Sequence, residues 1–496
     1  MRGKYEAPRK KGGILPILVV ILLIAVIVVG AMLVPKLMDR FGKPDSTGGS
    51  STNQTQGSPS STKGQEPTPT ETTAETTEPP TTEAPEPVHV VSTATITSTG
   101  DVLMHLPVIN TGLQTDGSYD FESIFRYVSS YTAKADYTVA NLETTLCGTS
   151  NGYQYSGYPC FNCPDEIVDS LKDAGFDMLL TANNHCYDTS TVGLLRTLEV
   201  TREKGLATLG TMYTAEEPKY EVVDINGINI GMICYTYSTM GDSGRPLING
   251  LPTKADAAGL INTFTYGNLE GFYTELSGYM KDMKEEGAEA IVLYIHWGEE
   301  YQLKANANQT AIAQKLCDLG VDVIVGGHPH VVQPMDLLTS TEDPDHKTVC
   351  LYSMGNAVSN QRLGNISYVD IANTEDGVLF SVTFSKYSDG TVYLESTELI
   401  PCWVNMRYPD KYTKEYNILP LDTETQDEWQ TLYDMSSSQY SAAVKSYERT
   451  MSIVGNGLTE CQEYLAQAKE TREAAYLAEV GLTEYPTQVT EAEEAA

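Results

Sequence analysis

Apolar and polar positions along this chain fall into three regimes. Ile14–Val34 is an almost unbroken apolar run of spanning length, which predicts a transmembrane helix over residues 13–35. From about Lys43 to Pro87 apolar residues nearly vanish and Ser, Thr, Pro and Glu dominate, as in TPTETTAETTEPPTTEAPEP. Such a stretch buries too little surface to offset chain entropy, so residues 36–90 read as a disordered tether. From Val91 onward, short β-branched runs alternate with segments whose apolar residues recur at helical spacing.

That alternation predicts strands at Thr93–Thr99, Tyr137–Ala140, Met178–Thr181, Ile228–Tyr235 and Ala290–Ile295, and one beginning at Val321. Helices are expected at about Asp165–Ala174, Val192–Lys204, Leu269–Glu286 and Gln309–Leu319. The first has Pro164 and acids at its start and Gly175 at its stop; the last puts Ile312, Leu316 and Leu319 on one face before Gly320. Strand and helix taking turns means an α/β domain, here residues 91–420. Val349–Ser353, Val378–Phe384 and Thr391–Leu399 follow with little helix between them. They suggest an antiparallel portion completing a second sheet. Residues 421–496 turn helical around Trp429, Leu432, Tyr433 and Met435 and again around Tyr464, Leu465 and Ala468, and end in EAEEAA; they read as a small helical appendage with a solvated acidic tail.

Charge gives the apolar run an orientation. Arg2, Lys4, Arg9, Lys10 and Lys11 precede it, so residues 1–12 are expected in the cytoplasm and the rest of the chain outside, anchored in the cell membrane by a single pass through lipid. A cleaved signal peptide is the rival reading, but the run is long for one and no convincing small-x-small site follows. With 32 Lys+Arg against 66 Asp+Glu the net charge is −34, which repels nucleic acid, and no nucleic-acid-binding module is legible. Nine cysteines are too few and scattered for a disulfide framework. The close pair Cys160 and Cys163 reads either as an oxidised staple or as two residues preceding a helix.

The candidate chemistry gathers at strand ends. VDVIVGGHPHVVQP, residues 321–334, runs from a buried strand through two glycines into His-Pro-His. Gly326 and Gly327 permit a tight turn and Pro329 stiffens the peptide, keeping His328 and His330 within reach of one centre. Similar polar groups stand at Gly100-Asp101 with His105, at Asn141-Leu142-Glu143, at Asn183-Asn184-His185 with Asp188, and at His296-Trp297-Gly298 with Glu300 and Tyr301. Five of the seven histidines lie inside these motifs. Carboxylate, amide and imidazole without thiolate suit one or two divalent ions such as Mn²⁺, Fe²⁺ or Zn²⁺.

The series GDVLMH, ADYTVANLE, DMLLTANNHCYD, IVLYIHWGEEY, GVDVIVGGHPHVVQP and LYSMGNAV, from about Thr93 to Val358, resembles the CapA family of poly-γ-glutamate capsule biosynthesis proteins, whose fold belongs to the calcineurin-like metallophosphoesterase group. The resemblance implies a two-sheet αββα sandwich. It implies Asp101 as a metal ligand, Glu143 as the bridging acid and Asn184, His296, His328 and His330 as further ligands. His185 would be the acid or transition-state stabiliser, with Asp188 in the same catalytic motif. His105, Asn141, Trp297, Glu300 and Asn356 are additional candidates. The chain departs from the metallophosphoesterase pattern in two places, Asp101-Val102-Leu103 replacing Asp-x-His and Asn141-Leu142-Glu143 replacing an aspartate motif, and the NNHxxDxG motif common in CapA proteins is incomplete here because Thr189 follows Asp188. The first metal position is therefore rebuilt or lost.

Plainer roles stand beside these. Asp101 could cap a turn; Asn141 and Asn184 could satisfy loop backbone. Asp188 suits an N-cap for the next helix, with Ser190 as rival. Trp297 suits a core or wall position, Glu300 and Tyr301 loop surface or pocket lining, and Gly355-Asn356 a turn at the rim. Two functions are expected from the resemblance and the residues together. One is a membrane-anchored, extracytoplasmic hydrolase or transferase acting on a phosphorylated or polyanionic envelope substrate, γ-glutamyl bonds included. The other is a non-catalytic subunit that guides an anionic polymer within a membrane synthase complex.

Overall fold

The computed structural model describes residues 88–366 and 371–481. The basic segment, the apolar run at 13–35, the tether as far as Pro87 and the acidic tail lie outside these residues. Among the described residues no helix is long and apolar enough to cross a membrane.

In chain order the strands are β1 (Val90–Val102), β2 (Tyr137–Leu142), β3 (Met178–Leu180), β4 (Ala207–Leu209), β5 (Tyr220–Ile225) and β6 (Ile228–Tyr237). A small insert holds β7 (Thr239–Met240), β8 (Pro246–Ile248) and β9 (Leu251–Pro252), followed by β10 (Thr263–Phe264), β11 (Ala290–His296) and β12 (Val323–Gly327). The last six are β13 (Met335–Thr339), β14 (Lys347–Leu351), β15 (Asn356–Val358), β16 (Asp376–Tyr387), β17 (Val392–Arg407) and β18 (Glu415–Pro420). They form one sheet ordered β18-β17-β16-β1-β2-β3-β4, with β15 beside β1, a second ordered β10-β6-β11-β12-β14-β13, with β5 beside β6, and a small third ordered β7-β8-β9.

The inner faces of the two sheets share one core. Ala94, Ile96, Val139 and Phe380 of the first pack with Met232, Val292, Val323 and Leu351 of the second. Helices cover the outer faces. Glu166–Asp173 buries Ile167, Val168 and Leu171 against the first sheet, while Leu269–Glu285 and Ala307–Asp318 bury Leu276, Met280, Ile312 and Leu316 against the second. The order is helix, sheet, sheet, helix, as expected. β1, β2, β3 and β4 run parallel, as do β6, β11, β12 and β14, so within each sheet the strands' carboxyl ends collect on one edge.

Three expectations need correction. The strand expected to stop at Gly100-Asp101 continues to Val102, with a register shift between Thr99 and Asp101; the irregularity re-aims Asp101 without ending the pairing. The late antiparallel strands do not complete the second sheet. β16 pairs with β1 in the first sheet from Val90 to Thr99, whereas β14 joins the second sheet parallel to β12. A run of alternating residues does not encode which free edge it will meet. Finally, the C-terminal appendage is a short helix, Trp429–Leu432, followed by a long one, Ser437–Val480, which is started by a Ser436–Gln439 capping box. Val454, Leu458, Cys461 and Leu465 of the long helix enter the core between the sheets, so that helix is integral to the domain. All nine cysteines are free. Cys163 is buried under the helices of the first sheet, which favours the helix-preceding reading of the Cys160/Cys163 pair over the staple.

Candidate metal centre

Five separate strand ends bring the expected residues to one buried point. Asp101 lies at the end of β1, Glu143 just past β2, Asn184 in the loop after β3, His296 at the end of β11, and His328 and His330 after β12. All six are buried, Asp101 and Glu143 with no exposure at all. Two groups of ligand atoms, Glu143–His296–His328 and Asp101–Glu143–His330, each lie within 4.8 Å of one another and share Glu143.

The contacts inside the cluster are short. His296 Nε2 is 2.7 Å from Asn184 Oδ1 and 3.5 Å from Glu143 Oε1. His330 Nδ1 is 3.1 Å from Asp101 Oδ2, and its Nε2 is 3.8 Å from Glu143 Oε1. Asn141 donates to Asp101 Oδ1 at 2.8 Å while accepting from Asn183 at 3.1 Å. Asn141 is thus a positioning residue for Asp101. Asn183 also donates to the Leu142 carbonyl at 2.8 Å, clamping the β3 loop to β2; nothing in its sequence context distinguished it from Asn184.

The His-Pro-His loop is bought with backbone strain: His328 and His330 sit at φ 97° and 55°, a region side chains rarely adopt. Gly326 precedes them because a Cβ there would stand 1.9 Å from the Tyr352 carbonyl oxygen.

The electrostatics fit a cation. Both Glu143 oxygens and His328 Nδ1 are buried without a hydrogen-bond partner, a costly state for a carboxylate. Burial, then the charges of Asp101 and Glu300, push Glu143 well above the usual carboxylate range. Burial would also raise Asp101, but the hydrogen bond and charge of His330 outweigh it and hold Asp101 below its ordinary value. Burial drives His296 down to about 3 and His328 well below normal, so both imidazoles are neutral and offer lone pairs. Acids and neutral imidazoles around an uncompensated carboxylate are a donor set for one or two divalent cations.

His185 stands beside the ligands. Its Nδ1 is 2.7 Å from Asp188 Oδ2, its ring packs edge-on against Phe161 at 4.6 Å, and its Nε2 makes no hydrogen bond to a described residue. Asp188 also accepts from the Phe161 amide at 2.6 Å. It caps no helix, because the helix after it starts at Ser190 with Thr189 in the cap position; Asp188 serves His185 instead. Asn249, at the tip of the β8–β9 hairpin, brings Nδ2 to 3.5 Å from His185 Nδ1, a neighbour invisible in the sequence motifs.

The additional candidates divide. His105 lies on the other side of Phe161, ring centroids 5.1 Å apart, where Nδ1 accepts from the Asn360 amide at 3.3 Å; it belongs to neither ligand group. Trp297 is fully buried, donates to the Tyr352 carbonyl at 2.9 Å and stacks on Tyr352, so it is core. Glu300 is exposed at the rim and acts on Glu143 only through its charge. Asn356 pairs in register with Asp101 and donates to the His330 and Thr374 carbonyls and to Gln361; it holds the His330 loop in place. Tyr301 receives a hydrogen bond from Gln361 at 3.1 Å and flanks His330.

The chain was compared with known proteins. The capsule biosynthesis protein CapA of Bacillus anthracis is 30% identical over 270 residues, covering 54% of this chain and 60% of that protein. The PGA biosynthesis protein CapA of Bacillus subtilis (strain 168) is 30% identical over 242 residues, covering 48% of this chain and 57% of that protein. The chain thus matches about three fifths of the length of these curated relatives. A crystal structure described as a 5'-nucleotidase from Staphylococcus aureus aligns over 69% of this chain and 58% of its own, at 15% identity and a TM-score of 0.39. The family described as bacterial capsule synthesis protein PGA_cap matches residues 95–361, more than half of the chain and the whole of the segment that carries both ligand groups. The chain belongs to that bacterial capsule synthesis protein family.

Proposed function

We propose that this protein is a membrane-anchored, extracytoplasmic component of capsule or poly-γ-glutamate assembly, with a metallophosphoesterase-like site that holds one or two divalent cations and acts on a phosphorylated or polyanionic envelope substrate. The observation that carries the reading is the pair of buried carboxylate–imidazole groups joined through Glu143, whose two oxygens have no other partner. The basic segment and apolar run at the N-terminus support the anchor, and the names of the CapA relatives support the role in capsule assembly.

Asp101, Glu143, Asn184, His296, His328 and His330 would hold the cations, with Asn141 fixing Asp101. Bound there, a divalent cation supplies Lewis-acid polarisation and a water of lowered pKa. The rest falls to the chain. Asp188 accepts from His185 Nδ1 and so aims the free Nε2 into the site, where it can give a proton to a departing oxygen or neutralise charge developing on it. Phe161 shields that pair from solvent on one side.

Metal analysis of the purified full-length chain tests the reading: wild type retains Mn, Fe or Zn, and His328→Ala or Glu143→Gln loses most of it. Metal content unaffected by either substitution would sink it. A second reading, a non-catalytic subunit of a membrane synthase complex, is favoured by the missing histidine of the Asp-x-His motif. Pull-down of the complex by variants lacking every candidate ligand supports that reading, and loss of association on ligand mutation counts against it.

A further inference from the structure

Tyr237 is the last residue of β6, so it enters the site from the same edge of the second sheet as His296 and His328. Its ring lies against His328 with centroids 4.9 Å apart. Glu300 and Glu143 are close enough for their charges to act on its phenol. The side chain is half-buried, and its hydroxyl makes no hydrogen bond to any described residue. The hydroxyl is not among the buried partnerless atoms and so keeps some exposure, open to a ligand entering the site. Packing against an imidazole requires the ring alone, and a phenylalanine would serve for that. The hydroxyl is left over beside the cluster, and among the described residues no Lys or Arg is hydrogen-bonded or ion-paired to a candidate ligand. A neutral donor is what this wall of the site offers to an incoming anion.

We propose that Tyr237 is a substrate-contacting residue, its phenol donating a hydrogen bond to an oxyanion, phosphate or carboxylate, held at the cluster. The proposal rests on the metal-centre reading and adds to it. A donor of this kind sharpens recognition of an oxygen already polarised by the site, and because it brings no charge it leaves the balance among Asp101, Glu143 and the imidazoles untouched. The adjacent insert adds a second polar contact on the His185 side: Asn249 is exposed at its hairpin tip, while Ile248 is buried among Cys186, Tyr187 and Leu194 and anchors it.

The test compares full-length wild type with Tyr237→Phe, both loaded with Mn²⁺. Metal stoichiometry is measured first; dissociation constants for inorganic phosphate and for γ-L-glutamyl-L-glutamate follow by calorimetry. Removing a hydrogen bond to an anion should weaken binding about tenfold with metal content unchanged. A loss confined to phosphate marks a phosphoryl contact, and one confined to the dipeptide marks a carboxylate contact; either supports the assignment. Equal metal content with both affinities unchanged overturns it and leaves the metal reading standing, as does a loaded wild type that binds neither probe. A wild type that takes up none of Mn²⁺, Fe²⁺ and Zn²⁺ overturns both.

Discussion

At the scale of single residues, the site depends on amides as much as on acids and imidazoles. A carboxylate ligand is useful only if its unused lone pairs are occupied and its rotamer is held, and for Asp101 this falls to Asn141, which is itself gripped by Asn183. Partners one bond removed from a ligand typically govern its affinity by tenfold or more. Asn141→Ala should therefore lower metal affinity by about 10-fold to 100-fold with little change in melting temperature, read by chelator competition; an affinity equal to wild type would show that Asp101 needs no support. His328, His330 and Asp101 could be picked out from the chain alone because glycine, proline and paired histidines leave few other uses for a strand end. Tyr237 and Asn249 could not, since an isolated amide or phenol carries no such restriction, and the sequence did not separate the role of Asn183 from that of Asn184.

At the scale of elements, the C-terminal helix changes the picture most. Its Gly457 lies against β13 so closely that a Cβ would stand 1.6 Å from the Met335 carbonyl oxygen. In an exposed helix interior, alanine is more stable than glycine by about 1 kcal/mol. Here the sign reverses: Gly457→Ala should destabilise by roughly 1–3 kcal/mol through overpacking, measured by urea unfolding, and an unchanged midpoint would mean the helix docks less tightly. The same helix is tied to the start of β16, where Arg449 Nη2 is 2.6 Å from Asp376 and Ser446 donates to it at 2.5 Å. Burial raises Asp376 to about 6 in spite of these lowering partners. A carboxyl with a raised folded pKa binds more protons folded than unfolded between pH 4 and 6, so its contribution to stability is complete below that window and falls across it. The fall amounts to about 3 kcal/mol at ~1.4 kcal/mol per unit. Unfolding midpoints across pH 4–6 should show this slope in wild type and lose it in Asp376→Asn.

At the scale of the whole molecule, a net charge of −34 opposes any anionic polymer, so such a ligand needs bound cations or a local basic patch, and the proposed site supplies the cations. Binding of poly-γ-glutamate to the full-length chain should then vanish with chelator. With metal present it should strengthen as salt rises from about 0.01 to 0.15 M, because the Debye length falls from ~30 to ~8 Å and screens the repulsion; affinity that falls with salt would instead point to a basic patch. The sequence alone determined the alternation of strands and helices, the strand-end placement of the candidate ligands and the family likeness, because hydrophobic periodicity and turn chemistry are local properties. Tertiary structure alone decided that β16 pairs with β1, that the last helix closes the core, that Trp297 is packing and Asp188 the partner of His185, and that Tyr237 faces the cluster. Each of these depends on which surfaces meet, from within one crowded loop to partners 55 residues apart for Trp297 and Tyr352 and 280 apart for Thr99 and Leu379, and that outcome is set by packing of the complete set of side chains.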